Sequence, residues 1–199
     1  MDTRTPTFYY DLGSPECYLA AERISFVLGV TPAWEPVNGS WAEGHTADGC
    51  QPQGSGLPLG LQRDRGATER IARERGLQTM RWPPHWPPDS RLAMLAATYA
   101  KSIGRATAFS LAAFRQTFAA GRDLSDLNTI LIAAAACEMH PAAVVKAVGL
   151  RSVARALENA TERAVASGVR RLPALRVGGF VFEGDNGLDE AAGALAARA

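Results

Sequence analysis

Residues Thr7–Tyr10 form a β-prone run, and the turn formers Asp11 and Gly13 follow it. Apolar positions then recur at helical spacing, at Tyr18, Leu19, Ile24, Val27 and Leu28, which predicts a helix over 15–28. Ser14 is the N-cap candidate, Pro15 suits the first helical position, and Gly29 closes the helix. Thr31–Val37 predicts a short second strand parallel to the first, so this stretch reads as a right-handed βαβ unit. Asn38–Leu61 has no periodicity and holds many Gly and several Pro, which predicts a loop of a length usually kept for function.

The next stretch, Gln62–Arg75, is charged and periodic and predicts an exposed helix ended by Gly76. Met80–Asp89 carries four prolines and two tryptophans and reads as a rigid extended connector. Four helices are predicted next, over 90–103, 105–120, 127–138 and 141–148, with Gly104 and Gly121 between the earlier ones. Ser125 or Asp126 opens the third. They read as a bundle inserted between two halves of one α/β domain. Ser152–Ser167 predicts another amphipathic helix ended by Gly168. Ala174–Val177 and Phe180–Glu183 predict a hairpin around Gly178-Gly179, and Asp189–Arg198 a final helix.

Composition narrows the function classes. The chain has 199 residues, 47% of them apolar, which is enough for a sizeable core. Its 21 Lys and Arg balance 20 Asp and Glu, so no nucleic-acid or membrane partner is expected. No apolar run reaches about 18 residues, and no apolar segment precedes the first strand, so a cytoplasmic protein is expected. Cys17, Cys50 and Cys137 are odd in number and far apart, unlike a disulfide framework. His45, His85 and His140 have no metal-ligand spacing, so no metal site is expected. Ser14 lies outside any G-x-S-x-G elbow, which argues against a hydrolase triad.

The chemistry concentrates at Ser14-Pro15-Glu16-Cys17. It has the spacing of a C-P-x-C redox motif with Ser in place of the first Cys. By itself, Ser-Pro also starts many ordinary helices. The run Phe8–Ala20 resembles the opening of the DsbA-like branch of the thioredoxin superfamily, and is most similar to 2-hydroxychromene-2-carboxylate isomerases and kappa-class glutathione transferases. Val169–Leu175, with Leu172-Pro173, resembles the turn before the third strand of that superfamily. Arg73–Leu77 with Arg81-Trp82-Pro83, Phe114-Arg115 with Gly121–Asp126, Asn159–Val165, Val177–Gly179 and Phe182–Gly184 resemble the same family in order and spacing.

The resemblance implies a thioredoxin-like (DsbA-like) α/β fold with an inserted all-helical domain. Residues 1–40 and 150–199 would form the discontinuous thioredoxin-like domain, 62–148 the insertion and 38–61 the long loop. It implies a cis bond before Pro173 and a free Leu172 backbone that pairs with an extended thiol ligand. The implied cofactor is glutathione or another low-molecular-weight thiol, held by Ser14, Pro15, Leu172, Pro173, Asp185 and Asn186. Ser14 would donate a hydrogen bond to the thiolate. That thiolate would add to an unsaturated aromatic substrate and be expelled after bond rotation, with no net redox change. Asp11, Trp82 and Asp89 are the candidate contacts for a small-molecule, aromatic or hydrophobic substrate, and relatives suggest a homodimer.

This chain departs from the pattern at three places. Asn186 stands where glutathione-using relatives have Asp, and Asp185 places a charge beside it. Asp89 stands where Asn is frequent, and Cys17 is a thiol the isomerases generally lack. Two other readings stay open: Cys17 as the single thiol of a disulfide oxidoreductase-like protein, and a non-catalytic binder of a small thiol or peptide.

Overall fold

The computed structural model describes residues 5–40, 57–58 and 65–197. A four-stranded mixed sheet has the order β2-β1-β5-β6, from β1 (Thr7–Tyr10), β2 (Ala33–Pro36), β5 (Ala174–Val177) and β6 (Phe180–Glu183). β1 runs parallel to β2, with Phe8 opposite Trp34, and antiparallel to β5, with Tyr9 opposite Ala174. The β5–β6 hairpin has the predicted bounds. This is the expected thioredoxin-like α/β arrangement.

The first predicted helix is two helices, α1 (Pro15–Ala21) and α2 (Ile24–Leu28). The chain tightens at the break, where Arg23 N–H bonds the Ala20 carbonyl at 3.1 Å. The two sides of the break are tied to different partners. Glu22 accepts a bidentate pair from Arg115, at 2.7 and 2.8 Å, and Arg23 pairs with Asp189 at 3.1 Å. Within the predicted loop, β3 (Gly39–Ser40) pairs in parallel with β4 (Leu57–Pro58), a short ladder with no periodic signal. His45 and Cys50 lie outside the described residues.

The helical stretch comprises α3 (Arg65–Glu74), α4 (Arg91–Ser102), α5 (Ala106–Phe118), α6 (Leu127–Ala135) and α7 (Pro141–Val148), followed by α8 (Arg151–Ala166). α6 stops three residues short of the prediction. Glu138 adopts a left-handed φ of 58°, and Met139 N–H turns back to the Ala134 carbonyl, closing the helix with an αL cap. Asp126, not Ser125, is its N-cap, accepting from Asn128 N–H at 2.9 Å. α9 (Gly184–Ala196) starts five residues earlier than predicted.

One hydrophobic core runs through sheet and helices alike, including Phe8, Phe114, Val144 and Leu188. Its centre is a row of rings. Phe8 and Tyr10 stack at 5.4 Å and meet Trp34 edge-on, and Tyr10, Tyr18 and Phe118 all pack against Phe114. Such rings bury large apolar areas and lock the relative positions of the elements that carry them. They fix β1 and α1 against α5.

Candidate functional site

β1 and β2 run parallel and end at the same edge of the sheet, where α1 begins. The antiparallel register of β1 and β5, carried one step on, brings Leu172-Pro173 alongside Tyr10-Asp11. β6 ends opposite Ala174, so the first turn of α9 arrives at that edge too. Ser14, Leu172-Pro173 and Asp185-Asn186, scattered along the sequence, are therefore gathered at one edge by the sheet.

Ser14 is the N-cap of α1, as its sequence context predicts. Its Oγ accepts from Cys17 N–H at 3.2 Å, Pro15 is the first helical residue, and both are buried. Cys17 is fully buried. Burial pushes its thiol far up, against the opposing hydrogen bonds from Ser14 and the Asp11 backbone. A thiol that stays protonated and inaccessible is a poor nucleophile, which corrects its expected catalytic role and removes support from the single-thiol oxidoreductase reading.

Asp11 is also corrected, from substrate contact to a buried structural carboxylate. Its Oδ1 accepts from Gly13 N–H at 2.8 Å and its Oδ2 from Gly39 N–H at 2.8 Å, and the Ser90 hydroxyl is a further partner. It thus ties the turn before α1 to β3 and to the start of α4. There is no room to spare there, because a Cβ on Gly13 would lie 3.1 Å from Ser90 Cβ. Burial raises the Asp11 carboxyl above its ordinary 3.8, with the nearby Asp89 charge adding to the rise. The folded value therefore exceeds the unfolded one, and the group's contribution to stability is lost as pH rises through that window. The unfolding free energy of wild type relative to Asp11→Asn should accordingly fall from acid to neutral pH. Urea melts at a series of pH values check this, and a difference that is flat or grows with pH would contradict it.

Asp89 is exposed and accepts from Arg91 N–H at 2.9 Å, holding the first turn of α4 close to Asp11. Trp82 is committed elsewhere. Its Nε1–H donates to Glu69 at 2.7 Å, its ring meets Trp86 edge-on at 4.9 Å, and the Arg65 guanidinium lies 5.0 Å from the ring centroid. It docks α3 against the proline-rich connector, a role in place of the expected substrate wall. The Trp86-Pro87 bond is cis, which no sequence signal indicated.

The Leu172-Pro173 bond is cis, as the resemblance implied, and Leu172 is buried. Gly184 N–H bonds the Pro173 carbonyl at 2.8 Å, and the Glu183 carboxylate accepts from Arg170 N–H at 2.5 Å and Arg171 N–H at 3.0 Å. Gly184 is required here. Its φ is +74°, and a Cβ on it would lie 2.8 Å from Arg171 Nη2. Asp185, expected among the residues that hold the thiol cofactor, is ion-paired with Arg75 at 2.6 Å, and both are largely buried. Asn186 is exposed. Arg75 Nη1 is buried and has no hydrogen-bond partner among the described residues.

Arg75, Glu183, Arg171, Gly39 and Ser90 were not marked as site residues by sequence reasoning. Arg75 reads as one of several charges on an exposed helix, and only the tertiary approach of its C-terminal end to α9 gives it a partner. Beside this edge, a cavity of about 450 Å³ opens against α8, lined by Asn38, Glu158, Thr161, Glu162, Val165 and Ala166. Asn38 adjoins Gly39, and its N–H bonds Thr161 Oγ1 at 2.8 Å. No helix among the described residues is long and apolar enough to cross a membrane.

No curated protein matches the sequence significantly. Among solved structures, a 2-hydroxychromene-2-carboxylate isomerase matches with a TM-score of 0.78 at 17% identity, covering 98% of this chain and 95% of that one. A probable DsbA oxidoreductase from Streptomyces coelicolor matches with a TM-score of 0.72 at 15% identity, over 97% and 88% of the two chains. The cytosolic disulfide reductase DsbM from Pseudomonas aeruginosa, in a structure with GSH, matches with a TM-score of 0.64 at 16% identity, over 98% of each chain. At such identities the likeness establishes the fold and leaves the chemistry to the residues themselves. With the mixed sheet, the Ser14 helix start and the Leu172-Pro173 turn in place, and a family model matching residues 7–196, the chain belongs to the DSBA-like thioredoxin domain family.

Proposed function

We propose that this protein binds a low-molecular-weight thiol of the glutathione type and uses it in isomerase or transferase chemistry on an aromatic or hydrophobic small molecule. One observation carries the reading. In a fold of thiol chemistry, the chain has Ser14 at the N-cap where a redox pair would place its first Cys, and Cys17, the one thiol near it among the described residues, is fully buried. The Ser14-Pro15-Glu16-Cys17 motif has no second sulfur for dithiol cycling, which supports a reactive thiol supplied from outside. DsbM, with the same fold, has been solved with GSH.

The residues fit such a ligand. Arg75 Nη1, buried and lacking a hydrogen-bond partner among the described residues, is a ready donor to a ligand carboxylate at the start of α9. Asn186 offers a neutral amide beside it. The ion pair with Arg75 neutralises Asp185, so Asp185 does not repel an anionic ligand end. The Leu172-Pro173 turn supplies backbone groups for an extended ligand. Ser14 Oγ, which accepts from Cys17 N–H, would donate its hydroxyl proton to the ligand sulfur and stabilise the anionic form there. The bound thiol would supply a nucleophile that adds to the substrate and is returned or transferred. The cavity against α8 offers room for a substrate of modest size.

Calorimetric titration with reduced glutathione tests the reading. Micromolar to low-millimolar binding is expected, weakened about tenfold in Ser14→Ala, the worth of one hydrogen bond to a charged group. S-methylglutathione should bind wild type more weakly than glutathione, and Ser14→Ala should lose that preference. Absence of glutathione binding to the wild-type protein would refute the thiol-cofactor reading.

A further inference from the structure

Glu183 is the last residue of β6, opposite Ala174 in the hairpin register. From there its side chain reaches back across the start of β5. A single oxygen, Oε1, accepts from the consecutive backbone N–H groups of Arg170 and Arg171, at 2.5 and 3.0 Å. The next residue, Gly184, donates its N–H to the Pro173 carbonyl at 2.8 Å. Residues 170, 171 and 173 are thus held from the β6–α9 junction, with Leu172 between the two points of attachment. The Arg171 guanidinium lies against Gly184, and Arg170 Nη1 donates to the Val165 and Val169 carbonyls, at 3.0 and 3.1 Å. The Glu183 carboxylate thus accepts from both of these amides, next to the bridge residue Leu172.

We propose that Glu183 is the positioning residue of the thiol site, fixing through Arg170 and Arg171 the backbone of Leu172 against which the ligand lies. The inference rests on the thiol-cofactor reading above. Two charge-assisted hydrogen bonds from a carboxylate to adjacent amides define the orientation of that peptide, and the following peptide inherits it. A displacement of about 1 Å at a positioning group is enough to cost a hundredfold in productive geometry. Glu183 does not touch the ligand in this scheme. It acts by preventing the Leu172 turn from swinging away from the end of β1.

The test compares Glu183→Ala and Glu183→Gln in the full-length protein by two measurements. Amide hydrogen exchange at Arg170 and Arg171 reads the clamp without ligand, and calorimetry with reduced glutathione reads its consequence. In Glu183→Ala both amides should exchange about tenfold faster or more, and glutathione affinity should fall about tenfold. Glu183→Gln keeps an acceptor oxygen and should recover most of both, a rescue that loss of general stability would not give. If wild type binds glutathione and Glu183→Ala binds it equally well, or if the two amides stay protected in Glu183→Ala, the positioning role is overturned while the cofactor reading stands. If wild type does not bind glutathione, the cofactor reading fails and the positioning role falls with it, whatever the amides show.

Discussion

Phe114→Ala is expected to lower the unfolding free energy by about 3–5 kcal/mol, the cost of emptying a fully buried aromatic position. Phe114 is completely buried, and its ring lies 6.0 Å from Tyr10, 6.1 Å from Tyr18 and 6.5 Å from Phe118. One side chain therefore joins β1, α1 and α5, and the void could be filled only by moving one of those elements. Domains are stable by about 5–15 kcal/mol, so the loss is a large fraction of the total. Urea unfolding should show a lower midpoint at an unchanged slope, and Phe114→Leu should retain much of the difference. A loss below about 1 kcal/mol would mean that this ring row is not the junction of sheet and helices.

Ser14→Cys is expected to install dithiol chemistry at the start of α1, where the wild-type motif has a single cysteine. Ser14 Oγ lies 3.2 Å from Cys17 N in the first turn of α1, so the introduced sulfur lies on the same turn as Cys17 Sγ. With oxidised glutathione as oxidant, the two thiols give up two electrons and two protons, an S–S bond closes the first turn of α1, and two molecules of reduced glutathione leave. At the head of the helix, the introduced thiol has its ionisation favoured by the free N–H groups. Thiol counting under denaturing conditions should find the pair oxidised in the variant. Glutathione-coupled reduction of insulin should rise well above the wild-type background, and adding Cys17→Ala should abolish it. If the variant forms no internal disulfide, Ser14 is not what separates this chain from dithiol members of its family.

The strands and most helix ends were legible because local chemistry and final structure agree there. Thr7–Tyr10, the hairpin at 174–183 and α7 carry their period and their terminators in adjacent residues. α9 was misread because Gly184-Asp185-Asn186-Gly187 is poor in helix propensity and rich in turn formers. Contacts made elsewhere override that preference. Gly184 bonds Pro173, Arg75 pairs with Asp185, and Gly187 must be glycine because a Cβ there would lie 2.7 Å from the Phe182 carbonyl carbon. The break after Ala21 has the same origin, since Arg115 and Asp189 hold its two sides from other helices.

The candidate site divides along the same line. The sequence by itself determined the Ser14-Pro15 helix start, the lack of a second cysteine beside it and the position of Leu172-Pro173, because each is a property of neighbouring residues. Only the tertiary structure decided that Cys17 is sealed, that Asp11 is a buried clamp, that Trp82 serves α3, and that Arg75 pairs with Asp185 and Glu183 with the Arg170 and Arg171 amides. Burial, and hydrogen bonds between residues up to 110 positions apart, exist only once the sheet has brought its strand ends together. The free energy of each such group is then set by its neighbours in space, and the order of residues along the chain does not encode those neighbours.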